Sequence, residues 1–147
     1  MGFDTLQDWL AWLETCHPVE IDLGLSRVEQ VFSRLDINFD QQTVITVAGT
    51  NGKGSCIAAL ERILRDNGVK VACYTSPHLI DYNERVVVEG QPVSDQCLLK
   101  AFARVYQALG EVSLTYFEFG TLAALDIFNH SQLPGQLITL LFNWERK

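Results

Sequence analysis

The sequence predicts an α/β fold, a parallel sheet flanked by helices, on three observations. An apolar, β-branched run, Val44-Ile45-Thr46-Val47-Ala48, leads directly into the glycine-rich turn Gly49-Thr50-Asn51-Gly52-Lys53-Gly54-Ser55. A helical pattern follows, with Ile57, Leu60, Ile63 and Leu64 expected to face inward and Asn67-Gly68 as its stop. A second strand-like run then extends from Val69 to Tyr74. Strand, glycine loop, helix and strand in this order imply a right-handed βαβ unit with parallel strands.

The remaining elements follow from periodicity and punctuation. Asp4 or Thr5 can cap a first helix in which Leu6, Trp9, Leu10 and Leu13 recur at helical spacing, ended by His17-Pro18. Trp9 and Trp12 read as core or interface packing. A short apolar loop, Ile21-Asp22-Leu23-Gly24-Leu25, precedes a second helix from about Ser26, with Val28, Val31, Phe32 and Leu35 on one face. After Tyr74 comes Thr75-Ser76-Pro77-His78, then a mixed polar stretch from Leu79 to Arg85 that suits a surface loop. Val86-Val87-Val88 reads as a short strand with a turn near Gly90. Ser94 caps a helix carrying Leu98, Leu99, Phe102, Val105 and Leu109, and Gly110 stops it. A last helical pattern covers about Phe117 to Phe128, and Leu137 to Phe142 is a candidate third parallel strand. The sequence shows no internal repeat and no linker between domains.

Composition narrows the function. A chain of 147 residues, 48% hydrophobic and 20% charged, fits one soluble domain with a real core. No apolar run is long enough to span a bilayer, and Met1-Gly2-Phe3-Asp4 lacks the basic start of a secretory signal. The expected compartment is the cytoplasm. The four cysteines (Cys16, Cys56, Cys73 and Cys97) form no CxxC pair and read as buried reduced thiols, and with three scattered histidines a zinc site is not expected. A net charge of −7 argues against general nucleic-acid binding. It does not argue against ATP, because a local nest of N–H groups with one lysine works inside an acidic protein.

The glycine loop carries the chemistry. Small residues let backbone N–H groups and a helix N-terminus approach phosphate oxygens. Lys53 would place its ammonium on the β/γ phosphates while the amides of Asn51 to Ser55 hold the oxygens. The match to the strict Walker pattern is imperfect: Val47 stands where glycine is wanted, and Gly54 where a hydroxyl is. A tight turn with an incidental lysine is the alternative. Ser76 lies at the C-terminal end of the second strand, the ligand-binding edge of open α/β sheets. It can reach a Mg²⁺ on the phosphates, or serve as a turn serine. His78 reads locally as a hydrogen-bonded loop histidine and Glu84-Arg85 as a solvated pair. Glu118 sits among Tyr116, Phe117, Phe119 and Leu122, company in which a carboxylate is paired or functional.

Five blocks in order resemble the bifunctional dihydrofolate synthase/folylpolyglutamate synthase family of Mur-ligase-like enzymes. They are residues 21–28 (Ile21 to Val28), 47–55 (Val47 to Ser55), 74–79 (Tyr74 to Leu79), 83–86 (Asn83 to Val86) and 114–122 (Leu114 to Leu122). The glycine loop alone would indicate only the wider superfamily; the set is specific to the folate branch. The resemblance implies a P-loop-type, Mur-ligase-like central ATPase domain. It implies ATP at Thr50, Asn51, Gly52, Lys53, Gly54 and Ser55, with Lys53 catalytic, and Mg²⁺ at Ser76. It implies a pteroate or folate site lined by Asp22, Leu23, Gly24, Leu25, Thr115, Tyr116, Phe117 and Glu118. In such ligases ATP phosphorylates a substrate carboxylate and the amine of L-glutamate attacks the acyl phosphate.

The resemblance ends near Asn129. The family continues into a metal-binding glutamate, a glycine cluster and an arginine–aspartate stretch, whereas here Pro134-Gly135-Gln136, an apolar run and Asn143-Trp144-Glu145-Arg146-Lys147 follow. The expectation is the N-terminal part of the ATPase domain over 1–147, without its remainder or a C-terminal domain. It would be a monomer whose apolar strand leaves an open sheet edge. Its activity would be that of a poorly active ATP-dependent glutamate ligase; the alternative is a non-catalytic nucleotide- or pteroate-binding module. A generic P-loop kinase or GTPase fits less well, because no Walker B aspartate is visible.

Overall fold

The protein, as a computed structural model, is described at residues 3–17, 24–49, 51–131 and 137–141. In chain order the elements are α1 (Leu6–Leu13), α2 (Ser26–Arg34), β1 (Thr43–Val47), α3 (Lys53–Asp66), β2 (Val71–Tyr74), a 3₁₀ turn (Tyr82–Arg85), β3 (Val86–Val88), β4 (Gln91–Pro92), α4 (Asp95–Leu109), α5 (Tyr116–His130) and β5 (Leu137–Leu141). They fall into two compact units, a helical one (Met1–Ile37 and Ser94–Ile127) and a sheet-bearing one (Asn38–Val93 and Phe128–Lys147).

In the helical unit, Thr5 is the residue that caps α1. Its hydroxyl accepts the Asp8 amide at 3.2 Å, while the Asp8 carboxylate accepts the Thr5 amide at 3.3 Å. The helix buries Trp9 and Leu13. Trp9 and Trp12 meet Tyr106 with ring centroids 5.7 and 5.4 Å apart, edge-on as aromatic quadrupoles prefer. α4 starts at Ser94, whose hydroxyl accepts the Cys97 amide, and its buried face is Leu98, Ala101, Phe102, Val105 and Leu109. Arg34 closes the far end of α4 by donating to the carbonyls of Ala108 and Leu109 at 2.9 and 2.8 Å, where the helix dipole favours a cation. Within the core, the almost fully buried Asp126 is paired with Arg104 at 2.6 Å.

The sheet order is β1-β5-β2-β3-β4. β5 runs parallel to both β1 and β2, with Val44 opposite Ile138 and Cys73 opposite Thr139. The expected third parallel strand therefore exists, but between β1 and β2, so the β1–α3–β2 crossover spans an intervening strand. β3 and β4 extend the sheet antiparallel, making it mixed rather than wholly parallel. Among the described residues the open edge beside the parallel strands is β1, where Val44 is exposed.

α3 covers this sheet through a core of Ile57, Val71 and Cys73, ringed by Val47, Leu64, Val69 and Val87. Each fully buried aliphatic side chain of this kind contributes about 2 kcal/mol. Ile63 was expected in that face and is instead 60% exposed. At about 100° per residue, Leu64 returns almost to the azimuth of Ile57, whereas Ile63 lies roughly 120° away. None of the four cysteines is in a disulfide, and only Cys73 is buried. Cys56 is exposed on α3, which corrects the expectation of uniformly buried thiols. Cys16 and Cys97 are intermediate, and burial pushes both thiols above their ordinary range. No helix among the described residues is long and apolar enough to cross a membrane.

Candidate functional site

The glycine loop leaves the C-terminal end of β1, and Ser76 follows the C-terminal end of β2, so parallel strands deliver both to one sheet edge. Gly52 makes the turn. It is the N-cap of α3 at φ +77°, a left-handed conformation that a side chain would strain. No side chain caps α3. The helical ladder starts with the Cys56 amide donating to the Gly52 carbonyl at 2.9 Å. The amides of Lys53, Gly54 and Ser55 thus form the donor-rich, positive start of the helix. A Cβ built on Gly52 or Gly54 would meet nothing within 4 Å, and both residues border open volume.

Lys53 is only 8% exposed, and its ammonium donates to the Gly49 carbonyl. Asn51, Gly52, Lys53, Gly54, Thr75 and Ser76 line one cavity of about 560 Å³, with Ile57, Ala58, Pro77 and Leu79 as its apolar wall. A buried cation, helix-start amides and open volume form a donor set for an oxygen-rich anion. The Ser76 hydroxyl is a hard oxygen ligand of the kind Mg²⁺ accepts alongside phosphate and water. Of the expected ATP residues, Asn51 to Gly54 come together here. Ser55 is exposed and is not among the lining residues, and Thr50 lies outside the described residues.

The stretch after Ser76 differs from expectation. Glu84 and Arg85 are not a solvated pair. The Glu84 carboxylate accepts the backbone amides of Leu79, Ile80 and Asp81 at 3.0, 2.8 and 2.8 Å, and these bonds hold it below the usual carboxylate range. Arg85 donates from Nε to Nδ1 of His78 at 2.8 Å and lies 5.1 Å from the Tyr82 ring centroid. Because the guanidinium can only donate, His78 keeps its proton on Nε2. Burial, followed by the Arg85 charge, depresses its pKa. Tyr82 is buried, so the segment expected as polar loop folds around a packed aromatic ring.

In the helical unit, two distant blocks meet. Arg27 Nη2 donates to both carboxylate oxygens of Glu118, at 3.0 and 3.1 Å across 91 positions of sequence. Glu118 also accepts the Thr115 amide at 3.0 Å while the Thr115 hydroxyl accepts the Glu118 amide at 3.2 Å, a capping box that starts α5. The carboxylate in aromatic company is therefore a paired one. Its partner, Arg27, was not singled out in the sequence. Thr115-x-x-Glu118 was a readable signal of the cap, as Asp81-x-x-Glu84 was for the loop. Tyr116 and Phe117 are half-buried and Leu25 is 71% exposed, whereas Asp22 and Leu23 lie outside the described residues. A second cavity of about 420 Å³, lined by Trp12, Cys16, Tyr106 and Phe119 among others, is not lined by any of Thr115 to Glu118.

Known proteins supply the remaining context. No family model matches the chain. The dihydrofolate synthase/folylpolyglutamate synthase of Escherichia coli K12 is 49% identical to it over 128 residues, 87% of this chain. The chain is homologous to these bifunctional synthases. It spans about 30% of the length of that curated relative. The fold agrees: E. coli FolC in complex with DHPP and ADP superposes with a TM-score of 0.90 and 45% identity, covering 95% of this chain and 33% of FolC. The Yersinia pestis synthase complexed with AMPPNP and Mn gives a TM-score of 0.89 at 44% identity, over 96% of this chain and 34% of its own. The α/β architecture of this homologue is thus that of the Mur-ligase-like synthases.

Proposed function

We propose that the chain serves an ATP-dependent ligase that joins L-glutamate to dihydropteroate or folates through an acyl phosphate. One observation carries the reading: Asn51 to Gly54, Lys53 and Ser76 line one cavity at the strand ends of a chain homologous to synthases solved with ADP and AMPPNP. The α3 amides would hold the phosphate oxygens. Lys53 would leave the Gly49 carbonyl for the β/γ phosphates and stabilise charge on the transferring group. A clamp of this type is typically worth about 3 kcal/mol in the barrier. Ser76 would hold the divalent cation, whose charge offsets the repulsion between ATP and the substrate carboxylate.

The pteroate or folate assignment covers Asp22, Leu23, Gly24, Leu25, Thr115, Tyr116, Phe117 and Glu118. It is supported by the Arg27–Glu118 contact, which draws the 24–27 and 115–118 blocks together. On this geometry Glu118 shapes the site through Arg27 and the start of α5, and Tyr116 and Phe117 offer the aromatic surface. Residues 1–147 then correspond to the first part of the ATPase domain. Cysteines outside any disulfide suit a reducing compartment, which supports a cytoplasmic protein, and we take it to be a monomer.

A narrower reading, nucleotide and pteroate binding without ligation, rests on the same cavity and the same Arg27–Glu118 contact. ADP release measured with ATP, Mg²⁺, dihydropteroate and L-glutamate, beside ADP binding, separates the two. Glutamate-dependent release supports the ligase, binding without release supports the narrower reading, and absence of both refutes them together.

A further inference from the structure

We infer that Glu84 and Arg85 are positioning residues that hold the Ser76 loop in the shape a phosphate-bound cation requires, an inference that rests on the nucleotide reading above. Packing of Leu79 and Ile80 does not shape the first part of this loop, because they are 92% and 84% exposed and the buried ring, Tyr82, comes after them. Charge does. One carboxylate oxygen of Glu84 takes the amides of Ile80 and Asp81, and the other takes that of Leu79. Successive amides turned onto one anion fix the backbone there and leave the two aliphatic side chains outside.

Arg85 fixes the other end of the loop. Its backbone carbonyl accepts the Thr75 amide at 2.9 Å, and its guanidinium donates to His78 at 2.8 Å. Ser76 therefore lies between two residues that are both tied to Arg85. Neither Glu84 nor Arg85 lines the cavity, so each acts on the ligand through the position of the Ser76 hydroxyl.

The two substitutions that break this arrangement are Glu84→Gln and Arg85→Gln. In the first, one oxygen becomes an NH₂ group facing an amide donor. In the second, the His78 tie is lost. Amide hydrogen exchange of the ligand-free chain and ADP titrations with and without Mg²⁺ test the inference. Glu84→Gln should speed exchange at Leu79, Ile80 and Asp81. It should also cut the Mg²⁺-dependent gain in ADP affinity about tenfold or more, as loss of a group that orients a metal ligand typically does. Metal-free ADP affinity should not change, and adding Ser76→Ala to Glu84→Gln should cost nothing further. Arg85→Gln should act in the same direction and carries the test if Glu84→Gln does not fold.

Equal losses with and without Mg²⁺, additive losses with Ser76→Ala, or a wild-type affinity indifferent to Mg²⁺ would overturn the inference. An intact Mg²⁺ gain in either variant would overturn it alone, leaving the nucleotide reading in place. Wild-type protein that binds no ADP under any condition removes that reading and this inference with it.

Discussion

The helical unit and the sheet unit begin their helices differently. In the helical unit, α1, α4 and α5 open on side chains that satisfy the first amides: Thr5, Ser94 and Thr115 with Glu118. In the sheet unit, α3 opens on Gly52, with no side-chain cap and open volume at its border. Orphan amides at a helix start need a partner. At α1, α4 and α5 the chain supplies one; at α3 an external anion is the natural partner. α2 shows the same contrast inside the helical unit, since no side chain caps it and its start follows Gly24 and Leu25, two residues assigned to the pteroate site. The starts without side-chain caps thus fall at two of the segments read as binding segments, whereas α5, whose start also belongs to the pteroate assignment, is capped by its own Thr115 and Glu118.

The strongest way to break this comparison is to remove the one charged side chain at the bare helix start. Lys53→Ala should weaken ADP binding by about 3 kcal/mol, roughly a hundredfold, which is the scale of a hydrogen bond between charged groups. The unfolding midpoint should change little beyond the lost Gly49 contact. Equal affinities in a calorimetric titration would mean that the loop binds no phosphate.

In the helical unit the corresponding test is one of stability. Arg27→Ala leaves the carboxylate of Glu118, itself about 10% exposed, without its guanidinium, and breaking such a pair from one side costs about 3 kcal/mol. Glu118→Gln should cost less than Glu118→Ala, because glutamine can still complete the capping box with Thr115. Denaturant unfolding of the three variants ranks them. If Gln and Ala are equivalent at position 118, the cap contributes nothing and only the ion pair matters.

How far the sequence could be read follows from the same contrast. The loop from Val47 to Ser55 is local: strand, glycines, lysine and helix are contiguous, and α3 begins where the pattern stops being strand-like. The place of Ser76 was legible because it follows closely on the end of a strand, β2. The position of β5 between β1 and β2 was not, because strand order depends on pairings far apart in sequence. Nor was Arg27–Glu118, whose partners are 91 positions apart. Ile63 was misplaced by counting apolar residues rather than angles. Glu84 and Arg85 look like any adjacent surface pair until the backbone turns three amides onto one carboxylate.

Gly52→Ala sharpens the comparison by separating conformation from room. The added methyl meets no neighbour, so the stability cost is the left-handed strain alone, about 1–2 kcal/mol. Gly52 itself lines the cavity assigned to phosphate, where an added methyl takes up room. ADP affinity should therefore fall although the protein still folds. A loss confined to stability would place the ligand elsewhere.

The smallest effect belongs to a cap with no ligand in view. Thr5 caps α1 at an exposed helix start, with Asp8 as its reciprocal partner. Thr5→Ala removes the hydroxyl and should cost about 1 kcal/mol, about 3 °C in melting temperature for a chain of this size. Thr5→Ser keeps an oxygen at the same place and should restore most of the loss. Thr115→Ala, at a buried start, should cost more than Thr5→Ala, because the freed Glu118 amide cannot turn to water. If the buried and exposed caps prove equal, solvent reaches the start of α5 as freely as that of α1, and the distinction between self-capped and open helix starts fails at its capped end.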